Sequence, residues 1–116
     1  LVAVHAESET MIQGLIEKNL SAGNTGAKYH AISRPPAAEA EAISRVTRLA
    51  RAADADLYIV HLSSRAGREE VEKAFAEAAK VISKAASKGV IHKNTAARKI
   101  SRLAKLANTV LRAQAA

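Results

Sequence analysis

Apolar residues recur along this chain with two periods, and the changes between them mark the elements. Leu1 to His5, LVAVH, is a short apolar run that predicts a buried strand. Ser8 is placed to cap a helix from about Glu9 to Ala22, in which Ile12, Leu15, Ile16 and Leu20 share a face. Gly23, Asn24 and Gly26 end that helix. Lys28 to Pro36, KYHAISRPP, predicts a loop, because two prolines cannot continue a helix. A helix follows from about Ala37 to Ala53, with Ile43, Val46, Leu49 or Ala50, and Ala53 inward. Asp54 to Asp56 is a turn. Leu57 to Leu62, LYIVHL, is the clearest strand, rich in β-branched and aromatic residues. A polar loop, 63–67, leads to a helix from about Arg68 to Lys88 with Val71, Phe75, Ala78, Ile82 and Ala85 on one face. Ala85 and Ala86 lie at its end, and Gly89 supplies a left-handed stop. Asn94 or Thr95 is expected to cap a last helix that ends near Ala113. There Ala96, Ile100, Leu103, Ala107 and Val110 form one apolar face, and Arg98, Arg102, Lys105 and Arg112 fall on the far side.

The order is strand, helix, helix, strand, helix, helix. It predicts a mostly helical α/β fold in which a β-α-α-β unit pairs its two strands in parallel, followed by a helical hairpin. Two strands alone leave both outer edges bare, so cover from later helices or from a second copy of the chain, a homo-oligomer, is expected. One shared core is the expected packing of residues 1–68 and 69–116; two loosely joined pieces is the alternative.

Length and charge narrow the picture. A chain of 116 residues with 3% aromatic content makes one domain with an aliphatic core. The absence of cysteine excludes disulfides and thiolate metal sites and suits a cytoplasmic protein. No apolar run approaches the roughly 20 residues that span a bilayer, so no membrane partner is expected. LVAVHAE is no signal peptide, and without an initiator Met the chain reads as a processed product or a fragment. The net charge of +7 is uneven: residues 1–68 carry 8 Lys/Arg against 7 Asp/Glu, and residues 69–116 carry 10 against 4. The basic second part points to a polyanion.

Two resemblances rest on specific runs. KAASKGVIHKNTAARK, within 84–99, resembles the C-terminal helical hairpin of the bacterial small-subunit ribosomal protein S-twenty, a likeness extending over about 69–107. It implies binding to structured RNA, small-subunit ribosomal RNA, and ribosome association in the cytoplasm. The family's long basic N-terminal helix has no counterpart here. VHAES, KYHAISRPPAAEAEAISR and LYIVHLSS, within 1–68, resemble the D-hydantoinase and dihydropyrimidinase family, cyclic amidohydrolases with a TIM barrel and two metal ions. That likeness implies metal-ligand roles for His5 and His61, but the family's upstream His-x-His pair, bridging lysine and downstream aspartate are missing. The chain therefore reads as a chimera joined near Arg68, engineered, selected from genomic segments or produced by rearrangement.

His5 and His61 end two parallel strands, where ligands gather in α/β folds. A catalytic zinc takes three protein ligands; Glu7, His30 or a partner chain could add a third, but the plain reading is two inherited histidines and no cofactor. Tyr29, His30 and Arg34 read as a structured connector, and Ser63 and Ser64 lack a nucleophile turn. The candidate RNA contacts are Lys84, Lys88, His92, Lys93, Asn94, Arg98, Lys99, Arg102 and Lys105. Without aromatics beside them, stacking on unpaired bases is not expected. The reading is a non-catalytic RNA-binding module. The alternatives are a folded chimera without a biochemical role and a remnant metal or cyclic-amidase site.

Overall fold

The computed structural model describes residues 1–112 and forms two compact units, one of residues 1–68 and one from Glu69 onward. The order is β1 (Val2–Val4), α1 (Glu9–Ser21), α2 (Lys28–Ile32), α3 (Pro36–Ala52), β2 (Leu57–Ile59), α4 (Arg65–Ser87) and α5 (Lys93–Arg112). The mostly helical α/β class and the parallel strand pair are as expected, with one helix more.

In the first unit β1 and β2 pair in parallel, with Val2 opposite Leu57, Ala3 opposite Tyr58 and Val4 opposite Ile59. Backbone bonds Val2 N–H to Asp56 and Val60 N–H to Val4 close the ladder. Ala6, Ile12, Ala38, Ala42, Ile43 and Leu62 are buried. Three small alanines among six core positions let backbones approach closely. Of the expected inward residues Leu20 and Ala53 are exposed, each near a helix end, and of the pair Leu49 or Ala50 it is Ala50 that is half-buried. Val2, Tyr58 and Val60 also remain open to solvent.

The extra helix corrects the loop expected over 28–36. Pro35 and Pro36 act only on the residues beside them. Lys28–Ile32 is far enough upstream to close one helical turn, with Ser33 N–H bonding the Tyr29 carbonyl. Pro36 then opens α3 at a position that needs no N–H donor, after Pro35 in extended geometry. Ser8 begins α1 without a side-chain cap bond. Its N–H donates to the Ala38 carbonyl, so it ties the start of α1 to α3. Asp54, at φ 50°, makes the turn out of α3, a conformation aspartate tolerates better than most residues.

In the second unit the predicted stripes are present. Val71, Phe75, Ala78, Ile82 and Ala85 are half-buried on α4; on α5 Ala96 is buried and Ile100, Leu103 and Ala107 are half-buried. Val110, Arg112 and Ala113, also part of the expectation, have side chains outside the described residues. α4 runs to Ser87, and Gly89 takes φ +71° as expected. The cap of α5 is His92, not Asn94 or Thr95. Its carbonyl accepts from the Thr95 and Ala96 N–H groups, and its Nδ1 accepts from Asn94 N–H at 3.2 Å.

Candidate nucleic-acid interface and a buried carboxylate

The histidine pair comes first, because the strands bring it together. His5 and His61 lie with ring centroids 5.1 Å apart and planes tilted by 57°. Glu39 of α3 stands beside them, its Oε1 3.7 Å from His61 Nδ1. Sequence reasoning missed Glu39. It is 5% exposed and shares the inward face of α3 with Ala42, Ile43 and Val46 at helical spacing. A lone charge on an apolar stripe was the available signal.

What occupies Glu39 is the start of α4. Ser63 N–H donates to Oε1 and Ser64 N–H to Oε2, both at 2.7 Å, and the Ser64 hydroxyl donates as well. Ser64 Oγ in turn accepts from Gly67 N–H at 3.0 Å, a helix cap that starts α4 three residues before the expected Arg68. Burial pushes the Glu39 carboxyl up. The Ser64 hydroxyl, the two backbone donors and the neighbouring His61 together outweigh burial and hold it below its ordinary value of 4.5. Gly67 makes the approach feasible: a Cβ there would sit 2.7 Å from Glu39 Oε2, 2.9 Å from Ile43 Cδ1 and 3.0 Å from Leu62 Cδ1.

The contacts of Glu39 commit it to the backbone at the start of α4. Both oxygens of Glu39 are engaged by N–H donors, so it is no free third ligand for the two imidazoles. Among the described residues no group of three or more His, Cys, Asp or Glu is placed to hold a metal ion. Glu7 faces Arg34 at 4.0 Å, and His30 Nδ1 faces Arg34 at 3.2 Å. Ser63, His61 and Glu39 are not arranged as a nucleophile triad. Ser63 Oγ lies 3.5 Å from His61 Nδ1, the same nitrogen that faces Glu39, whereas a relay needs the hydroxyl and the carboxylate on opposite ring nitrogens.

The second unit carries the charge. From residue 78 to the C-terminus the sequence has nine Lys/Arg and no Asp/Glu. This acid-free run is sharper than the difference between the two parts of the chain. Lys84, Lys88, His92, Lys93, Asn94, Arg98, Lys99, Arg102 and Lys105 are all exposed. Of these, Arg98, Lys99 and Arg102 join Thr95 in lining one open groove of ≈ 230 Å³. They stand at i, i+3, i+4 and i+7, so one side of α5 presents them together. His92 has a structural task already, as the α5 cap.

The fold and this charge distribution define a mostly helical α/β chain with a cationic helix pair. The sequence profile of the family described as Ribosomal protein S20 matches residues 43–108, more than half of the chain, and the chain belongs to that family. The chain is also 45% identical over 74 residues to the D-hydantoinase of Ralstonia pickettii, covering 64% of this chain and 16% of that one. It is 38% identical over 91 residues to the dihydropyrimidinase of Arabidopsis thaliana, covering 78% and 17%. The crystal structure of dihydropyrimidinase from Brevibacillus agri is similar at 40% identity and TM-score 0.64, over 66% of this chain and 17% of that one. The chain thus spans 16–17% of the length of these enzymes. The double likeness expected of a chimera is present. The ribosomal match begins at residue 43, inside α3 and well before Glu69, and the matched stretches are together longer than the chain. The two matched stretches therefore overlap along the sequence.

Proposed function

We propose that the protein is a non-catalytic, ribosome-associated RNA-binding chimera that holds structured small-subunit ribosomal RNA through α4 and α5. The observation that carries this reading is the acid-free run from residue 78, with its lysines and arginines exposed wherever they are described. Membership of the Ribosomal protein S20 family supports the choice of RNA over other polyanions. The hydantoinase-like part acts as scaffold: the carboxylate nearest its two histidines is committed to starting a helix.

Binding of this kind is electrostatic, so log K should fall linearly with log salt, by roughly one unit of slope for each phosphate engaged. Filter binding of a small-subunit ribosomal RNA fragment across a salt series tests it. The expected result is tight retention at low salt and a steep negative slope. No retention at low salt would overturn the proposal.

A further inference from the structure

An open groove of ≈ 260 Å³ lies in the first unit between the C-terminal half of α1, the connection after it and α2. Neither His5, His61 nor Glu39 lines it, and it is independent of the RNA-binding function proposed above. We propose that this groove binds a small aromatic monocarboxylate, with the ring against Ile16, Leu20 and Tyr29 and the carboxylate on Arg34 and the Ser33 hydroxyl.

Three observations support it. The first is the cation. Arg34 Nη1 is held 3.2 Å from His30 Nδ1, which accepts from it because a guanidinium only donates. Arg34 Nε faces Glu7 at 4.0 Å, beyond hydrogen-bond length, and Nη2 has no partner among the described residues. No Asp or Glu lines the groove, so Arg34 gives it a single positive charge, which a monocarboxylate matches and a phosphate dianion exceeds. The second is a buried donor. Ser33 is 2% exposed and its Oγ accepts from Asn19 Nδ2 at 3.0 Å, which leaves its own O–H proton to donate. No acceptor for that proton stands among the described residues. A buried donor without an acceptor costs stability, so an anionic oxygen in the groove is favoured. The third is the walls. Ile16 and Leu20 share one face of α1 at i and i+4, and Tyr29 comes from α2, so an aliphatic wall and an aromatic one line the same groove. Lys28 Nζ lies 5.0 Å over the Tyr29 ring and holds it in place. Pockets for drug-sized ligands run to roughly 300–1,000 Å³, so this one suits an acid with one ring.

The test is titration of the full, isotope-labelled chain with benzoate, followed by amide NMR shifts, with benzamide, acetate and inorganic phosphate as comparison probes. Benzoate should give saturable shifts confined to residues 16–34. Benzamide lacks the charge and should bind at least about tenfold more weakly, the usual loss for a hydrogen bond to a charged group. Acetate lacks the ring and should be weaker for want of apolar area to bury. Arg34→Gln should weaken benzoate by about tenfold to a hundredfold. Thr25→Glu places a carboxylate in the groove from an exposed position between the helices, and it should weaken benzoate by repulsion while the shifts elsewhere in the chain stay as they were. That second variant leaves the Arg34 contacts in place, so it keeps the test decisive if Arg34→Gln disturbs α2. Benzoate shifts spread over the lysines and arginines of α4 and α5, or no saturable shifts at all, overturn the site. Undiminished benzoate binding by Thr25→Glu, or by a folded Arg34→Gln chain, overturns it as well. Benzamide as tight as benzoate, or acetate or phosphate as tight, overturns the assignment to an aromatic monocarboxylate.

Discussion

Glu39 is the only buried charged residue among those described, and its setting makes it a pH-dependent element of stability. Its carboxyl is held below the ordinary 4.5 in the folded chain. A depressed acid contributes stability above its unfolded value and loses it as pH falls through the lower folded value. The wild type should therefore lose stability below about pH 4.5, as urea midpoints taken from neutral to acid pH would show. Glu39→Gln should flatten that dependence. It should also cost roughly 1–3 kcal/mol at neutral pH, because its amide nitrogen must face one of two N–H donors. A variant with an unchanged acid limb would contradict this account. Residue-scale chemistry was the least legible part of the sequence. His5, His61 and the two serines were visible as letters. That one His61 nitrogen faces both Ser63 and Glu39 was not, because it depends on how an α3 side chain meets the loop before α4.

At the scale of elements, two glycines of similar appearance have different work. Gly67 lies in the first turn of α4, where alanine would gain about 1 kcal/mol of helix propensity. That gain is opposed by contacts of 2.7–3.0 Å with Glu39, Ile43 and Leu62. The carboxylate end is pinned by its hydrogen bonds and cannot swing clear, and overpacking of this kind costs about 1–3 kcal/mol. Gly67→Ala should therefore destabilise despite the better helix former. Gly89 has open space around it but φ +71°, so Gly89→Ala should cost about 1 kcal/mol for a backbone reason alone, with Gly89→Asn milder. Thermal melts of the three variants check both statements; a Gly67→Ala chain as stable as the wild type would remove the close-approach argument. The stop at Gly89 was legible because left-handed backbone has a residue signature. Gly67 carries no such signature, since its constraint is a neighbour distant in sequence. The short α2 was illegible for the opposite reason: proline's local effect was extended too far upstream, over Tyr29 and His30.

Across the whole molecule, charge and core are distributed differently. Among the described residues the buried apolar side chains other than Ala96 lie at or before residue 62, whereas the acid-free cationic run begins at 78. This division was legible from composition, because net charge along a sequence needs no tertiary information, and so were the order and parallel pairing of the strands. The extent of each likeness was not: the ribosomal match begins inside α3, well before Glu69. If residues 1–68 serve as scaffold and the RNA surface belongs to α4 and α5, the two properties are separable by mutation. Ile43 is fully buried in the first unit, and Ile43→Ala should remove about 2–5 kcal/mol there through lost contacts and a residual cavity. The salt slope of RNA binding should not move, since no phosphate contact is touched. Urea denaturation and RNA titration on the same preparation measure both quantities. A slope that drops together with the denaturation midpoint would mean that the cationic surface needs the intact first unit, and the division of labour between scaffold and RNA surface would have to give way to a single cooperative body.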